Sequence, residues 1–204
     1  DGGKHGAPQE RTMIEEILEL ENLSEAWKRV KRNKGAPGID GMTVEDFPAF
    51  KQEHWPRIAI AIREGNYRPA PVRRAWIPKP DGTMRPLGIP TVLDRVIQQA
   101  FAQVLGPLFE ADFSEHSHGY RPGRSALQAV VVMEEGWKEG RRHAVECDLK
   151  SFFDTVNHDR LMIALKAKLR CPRVLGLIRR YLMAGVELPD GTREATPQGV
   201  PQGG

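Results

Sequence analysis

"PVRRAWIPKPDGTMRPLGIP", residues 71–90, is the stretch whose reading decides the fold. Two runs, "PVRRAWIPK" and "TMRPLGIP", flank Pro80-Asp81-Gly82. Proline presets the backbone angle of a turn, aspartate bonds to nearby backbone, and glycine takes the left-handed conformation without a Cβ clash. The stretch therefore predicts a β-hairpin carrying Arg73, Lys79 and Arg85. "VELPDGTREA", residues 186–195, predicts a second hairpin on an Asp-Gly turn.

Most of the remaining chain reads as helix. Ile14, Ile17, Leu18, Leu23, Ala26, Trp27 and Val30 fall near helical spacing, with Asn22 or Ser24 as candidate breaks. "NKGAPGIDG" (33–41) is a loop; Thr43 and Asp46 then form a capping-box-like start to a helix towards Glu64, broken near Pro56. In residues 91–110, Val92, Val96, Ala100, Val104 and Leu108 line one helical stripe. "SHGYRPGRS" (117–125) is a loop, 126–138 a helix and 144–149 a short strand. Asn157 or Asp159 caps a helix to about 169, and Pro172 opens another ending near 184–185. Helices with isolated hairpins and a lone strand, without regular βαβ alternation, predict an α+β fold.

Composition bounds the partners. The chain has 204 residues, 40% apolar and 28% charged, and a formal net charge of +3. Those values describe a globular protein able to bury a core, and exclude a disordered tail. No apolar run approaches the roughly 18 residues of a membrane-spanning helix. Cys147 and Cys171 form no disulfide framework, so a reducing cytoplasm is the default compartment and no membrane partner is expected. Basic residues cluster: Lys28, Arg29, Lys31, Arg32 and Lys34 in "WKRVKRNKGAPG", and Arg68, Arg73, Arg74, Lys79 and Arg85 beside Tyr67 and Trp76. Such clusters suit a phosphate backbone, and equally a solvated helix face followed by a basic hairpin.

In "VECDLKSFFDTVNHDRL" (145–161), Asp148 follows an apolar run. An acid at a strand end beside a turn can hold a divalent cation, or it can cap the turn; local pattern alone favours the cap. One carboxylate alone cannot build a magnesium site.

"CDLKSFFDTVNHDRLM" (147–162) resembles the first catalytic palm motif of bacterial group II intron-encoded reverse transcriptases. Residues 73–130 resemble the finger motifs of that family, "NLSEAWKRVKRNKGAPGIDGMTVEDF" (22–47) its N-terminal extension, and "TPQGVPQGG" (196–204) the start of its template-and-nucleotide motif. The resemblance runs from about Asn22 to Gly204. It implies an α+β fold of mainly helical fingers with a β-hairpin, plus part of a right-hand polymerase palm. The organisation it implies is a flexible leader at 1–10, fingers including the N-terminal extension at 11–140, and partial palm at 141–204.

The resemblance also implies roles. Asp148 becomes the catalytic, metal-binding aspartate, with the Leu149 carbonyl helping to hold the second ion of a two-Mg²⁺ site. Phe153 crowds the sugar 2′ position and favours deoxynucleotides; the plain alternative is a core phenylalanine, a reading that suits Phe152. Lys79 and Arg85 grip the incoming triphosphate. Gln202, in the second of two Pro-Gln-Gly copies, packs near nucleotide and template. Arg121 and Arg124 contact the template strand, and Lys28, Arg29, Lys31, Arg32 and Lys34 join them in binding RNA. Loop arginines paired with acids remain the plain alternative for Arg121 and Arg124. Asp154 caps the helix after Val156, and His158-Asp159 is better explained by a helix start than by a hydrolase metal doublet.

The implied parent is an RNA-directed DNA polymerase, a nucleotidyltransferase that also binds group II intron RNA as a maturase in RNA splicing. Its partners would be intron RNA, an RNA template with a DNA primer, and deoxynucleoside triphosphates. The family's Tyr-x-Asp-Asp turn is not within the 204 residues, so this piece is expected to bind RNA and to be catalytically incomplete. Two other readings stay open: a splicing cofactor without polymerase activity, and a retron-type reverse transcriptase. "RVIQQAFAQVL" could pair two copies in a homodimer or pack on the core.

Overall fold

The computed structural model describes residues 8–201. Two compact units are present, Asp1–Val104 with Ser151–Gly204, and Leu105–Lys150.

The first unit opens with α1 (Pro8–Leu18) and α2 (Leu20–Asn33). Helix α1 begins inside the expected leader, on a proline whose missing N–H is no loss at a first helical position. The break falls at Glu19, not at Asn22 or Ser24. Asn22 instead reaches back: its Nδ2 donates to the Ile17 carbonyl at 2.9 Å and to the Ala100 carbonyl at 3.1 Å. It thereby ties the end of α1 to a distant helix.

Helix α3 (Phe47–Arg63) follows the glycine-rich loop. The Thr43–Asp46 box forms, but it closes the turn before the helix and does not cap it: Asp46 Oδ2 accepts from Thr43 N and Oγ1 at 3.0 and 2.6 Å, and Asp46 N donates to Thr43 Oγ1 at 3.3 Å. The helix runs unbroken through Pro56, contrary to the expected break. Phe47 buries at its start against Trp27, and Ala59 and Ile62 bury beyond the proline, so packing on both sides holds the line.

Strands β1 (Val72–Pro78) and β2 (Met84–Ile89) form the predicted hairpin, in register from Arg73↔Ile89 to Pro78↔Met84. Helix α4 (Val92–Glu110) then supplies Val92, Val96, Ile97, Ala100 and Phe101 to the core. The first three residues of its apolar stripe are thus used within the chain, whereas Val104 is half-buried and Leu108 exposed.

After Ser151 come a single turn, α6 (Phe152–Thr155), then α7 (His158–Lys168) and α8 (Pro172–Leu182). Asn157, not Asp154 or Asp159, caps α7, accepting from Arg160 N at 2.9 Å. The short strands β3 (Val186–Glu187) and β4 (Arg193–Glu194) make the second hairpin. The hairpins are not isolated: β1 pairs with β3 in parallel, Val72 opposite Val186, giving one sheet of order β2-β1-β3-β4.

The second unit holds α5 (Ala126–Lys138), opened by a capping box in which Ser125 and Gln128 bond reciprocally. None of its residues is buried. Residues 144–149 are irregular rather than the expected strand. A lone strand has no ladder for its N–H and C=O groups, and these residues pair with none of the described strands.

Candidate nucleotide and nucleic-acid site

Both hairpins close with the same four residues in the same geometry. Lys79 N donates to Thr83 O at 2.8 Å and Leu188 N to Thr192 O at 2.8 Å; Gly82 and Gly191 sit at φ +81° and +83°. In each, the aspartate takes the threonine amide and hydroxyl: Asp81 Oδ1 accepts from Thr83 N at 2.9 Å and Oγ1 at 2.6 Å, and Asp190 Oδ1 does the same for Thr192. These bonds hold both aspartates below their ordinary pKa. A tight turn followed by a left-handed glycine is a common three-residue hairpin connection.

This rigid turn presents Lys79 and Arg85, both exposed, at the far end of the ribbon. Register places Arg85 on the face shared with Arg73, and Arg74 on the opposite face with Trp76 and Pro86. The Arg74 guanidinium lies 5.9 Å from the Trp76 ring centroid. Arg73 turns inward, donating from Nε and Nη2 to the Pro37 carbonyl at 3.0 and 2.8 Å.

On the Arg74 face the unit holds a cavity of about 190 Å³, lined by Arg74, Pro86, Asp154, Tyr181, Gln198 and Gly199 among others. The α6 turn supplies Asp154, the residue after Phe153, to its wall. Phe152 and Phe153 are each 51% exposed, so Phe152 is not the core residue expected. Their rings meet edge to face at 5.6 Å. The first Pro-Gln-Gly copy, residues 197–199, reaches this place; Gln202 of the second lies outside the described residues.

Behind the cavity is a cluster that pattern reading missed. Asp94 is 1% exposed and accepts from Tyr67 OH at 2.8 Å, Tyr181 OH at 3.0 Å, Thr91 Oγ1 at 2.7 Å and Ala70 N at 3.2 Å. Burial raises its pKa despite these donors, and burial beside Asp94 raises those of both tyrosines. A sequence signal existed: an acid inside the buried stripe of α4, three residues after a threonine, repeats the Thr43–Asp46 box.

The basic end of α2 is exposed. Glu25 pairs with Lys28 at 3.7 Å and with Arg29 at 3.4 Å. Lys31, Arg32 and Lys34 have no acid within ion-pair distance among the described residues, and their charge complements the helix C-terminus. In the second unit the Arg121 side chain is 8% exposed. It bonds Glu110 through Nε and Nη2 at 2.9 and 2.8 Å, and the Ser114 and Ser117 carbonyls through Nη1 at 2.6 and 2.9 Å. Arg124 is exposed.

Asp148 and Leu149 are exposed in the irregular segment of that unit. Among the described residues no group of three or more His, Cys, Asp or Glu could hold a metal ion. One carboxylate with one carbonyl does not make a two-metal cradle, which takes carboxylates on both sides of the ion pair.

With this geometry in place, comparison with known proteins identifies the class. The profile of the family described as "Reverse transcriptase (RNA-dependent DNA polymerase)" matches residues 77–204, and the chain belongs to that family. Its members generally use divalent metal ions. Protein YkfC of Escherichia coli is 37% identical over 194 residues, spanning 92% of this chain and 51% of YkfC. The group II intron-encoded protein LtrA of Lactococcus lactis subsp. cremoris is 36% identical over 180 residues, 88% of this chain and 30% of LtrA. The chain thus spans between about a third and half of these relatives, and the resemblance to group II intron reverse transcriptases and maturases is borne out. In fold it is similar to a chain of a partial Cas6-RT-Cas1–Cas2 complex, with a TM-score of 0.60 and 21% identity over 94% of this chain and 31% of that one.

Proposed function

We propose that this chain is the fingers and part of the palm of a group II intron RNA-directed DNA polymerase, whose parent also binds intron RNA as a maturase. The observation that carries the reading is convergence. Within the first unit, the hairpin through Val72, Arg74 and Pro86, the α6 turn through Asp154, and residues 198–201 meet at one cavity, and all of these but Val72 and Arg74 fall inside the matched family region.

Lys79 and Arg85 would engage the triphosphate of a deoxynucleotide, Arg as a bidentate donor and Lys as a mobile point charge. Phe153 would reject a ribose 2′-hydroxyl by clash, and Gln202 would pack near nucleotide and template. Lys28, Arg29, Lys31, Arg32, Lys34 and Arg124 would bind RNA phosphates, with Arg121 holding the loop that presents Arg124. Asp148 and the Leu149 carbonyl would give a magnesium pair one carboxylate and one carbonyl, the remaining acids coming from outside these 204 residues. No helix among the described residues is long and apolar enough to cross a membrane. Cys147 is an exposed free thiol, which suits a cytoplasmic setting. A homodimer through the first half of α4 is not proposed, because Val92, Val96 and Ala100 of its stripe are buried in the chain's own core.

The test separates binding from synthesis. The purified 204-residue chain should bind structured RNA with an affinity falling steeply with salt, on a slope of several released counterions. It should extend no primer on an RNA template above background. In the full-length reading frame, Asp148→Ala should abolish synthesis and leave RNA binding intact. Salt-independent binding, or magnesium-dependent extension by the short chain, would sink this assignment.

A further inference from the structure

Phe153 has a placement problem that its own side chain does not solve. A ring that discriminates a 2′-hydroxyl must be held to a fraction of an ångström, yet this one is half-exposed and touched by Phe152 at one edge. With half of its surface exposed, the ring's position depends heavily on where its backbone is held.

That backbone is held from one direction. Val200 N donates to the Phe153 carbonyl at 2.7 Å, and Gly199 N donates to the Val156 carbonyl at 2.8 Å. The two amides thus bind the first and last carbonyls of the Phe153–Val156 turn. Gly199 sits at φ +82°, and a Cβ there would stand 2.8 Å from the Asp154 carbonyl oxygen and 3.1 Å from that of Phe153. Only glycine lets the segment lie this close. Behind it, His158 is 6% exposed, and its Nε2 lies 2.7 Å from the Gly199 carbonyl, which can only accept, so the ring carries its proton there. His158 is itself fixed as the first residue of α7, just after the Asn157 cap.

We infer that Gly199, Val200 and His158 form a positioning device for Phe153, so that the first Pro-Gln-Gly copy sets the sugar-discriminating ring rather than contacting the nucleotide. The inference rests on the proposed polymerase function. It also gives the paired motif a division of labour: residues 197–199 hold the turn, and the second copy is left for nucleotide and template. His158, which local pattern offered only as half of a His-Asp doublet, becomes the residue that joins the two motifs.

The test uses the full-length protein and compares kcat/KM for one deoxynucleotide and its ribonucleotide counterpart on a primed RNA template. Phe153→Ala is the reference and tests the underlying reading: if it leaves discrimination unchanged, Phe153 does not face the sugar and the polymerase assignment of this turn fails. Given a response there, His158→Phe should lower discrimination by about tenfold or more, as a sub-ångström misplacement would. His158→Gln keeps an N–H donor and should recover most of it. Gly199→Ala should behave like His158→Phe. Hydrogen exchange supplies a readout independent of activity: Gly199 and Val200 amides should be protected in the native protein and in His158→Gln, and open in His158→Phe. Equal loss of both nucleotide activities, or amide protection indifferent to His158, would overturn the positioning role.

Discussion

At the scale of single residues, two glycines in "NKGAPGIDG" carry different constraints. A Cβ on Gly38 would stand 2.6 Å from Thr91 Cα and 2.7 Å from Thr91 N, both backbone atoms that cannot swing away. A Cβ on Gly35 would meet the Arg95 guanidinium at 2.1 Å, the far end of a long side chain. Gly38→Ala should therefore destabilise the protein by roughly 1–3 kcal/mol, as overpacking does, and Gly35→Ala by clearly less. The second change moves Arg95 off the Ala36 carbonyl, which it meets at 2.8 Å. Paired denaturant unfolding curves decide this, and equal effects would contradict the distinction. The sequence showed a loop here; which glycine lies against a rigid backbone depends on a segment some fifty positions away.

Among the elements, the two Pro-Asp-Gly-Thr turns were legible because every bond that closes them is local. The helix at residues 126–138 was legible for the same reason, its Ser125–Gln128 box being self-contained. The strand expected at 144–149 failed because a strand depends on partners that local propensity does not supply. The parallel pairing of β1 with β3 was missed for the converse reason, since nothing in residues 72–73 names 186–187. Arg121 belongs to this scale too. Its guanidinium holds the 110–124 connection to itself through Glu110, Ser114 and Ser117. Arg121→Ala should cost about 1–3 kcal/mol by stranding those acceptors, and Arg121→Lys should recover little, since it cannot make the fork. Arg124→Ala should leave melting unchanged and weaken RNA binding. Binding isotherms and melting curves on the same three variants check both halves; a stable Arg121→Ala would refute the structural role.

At the scale of the whole molecule, the Asp94 cluster joins the segment before β1, helix α4 and helix α8 through one carboxylate. Burial lifts its pKa in the folded chain above the ordinary aspartate value of 3.8. The native state therefore binds a proton more tightly than the unfolded chain. The contribution of Asp94 to stability is greatest below 3.8 and falls as pH rises through the folded pKa. Asp94→Asn removes that titration, so the stability difference between native protein and variant should shift in favour of the native protein as pH drops towards 4. Asp94→Ala should cost about 2–4 kcal/mol by leaving two tyrosine hydroxyls, a threonine hydroxyl and an amide unpaired. Chemical denaturation from pH 7 to pH 4 measures both, and a pH-independent difference for Asp94→Asn would rule out the shift.

The sequence by itself determined the turns, the helices at 92–110 and 126–138, and the family, because those rest on contiguous residues whose bonds and patterns close over a few positions. Tertiary structure alone decided that the two hairpins share a sheet, that Asn22 ties helices instead of breaking one, that an acid in an apolar stripe gathers two tyrosines, and that Gly199 and His158 lie behind Phe153. Each of these depends on groups tens of residues apart being brought within about 3 Å, and directional hydrogen bonds of that length are fixed by packing rather than by neighbours in the chain.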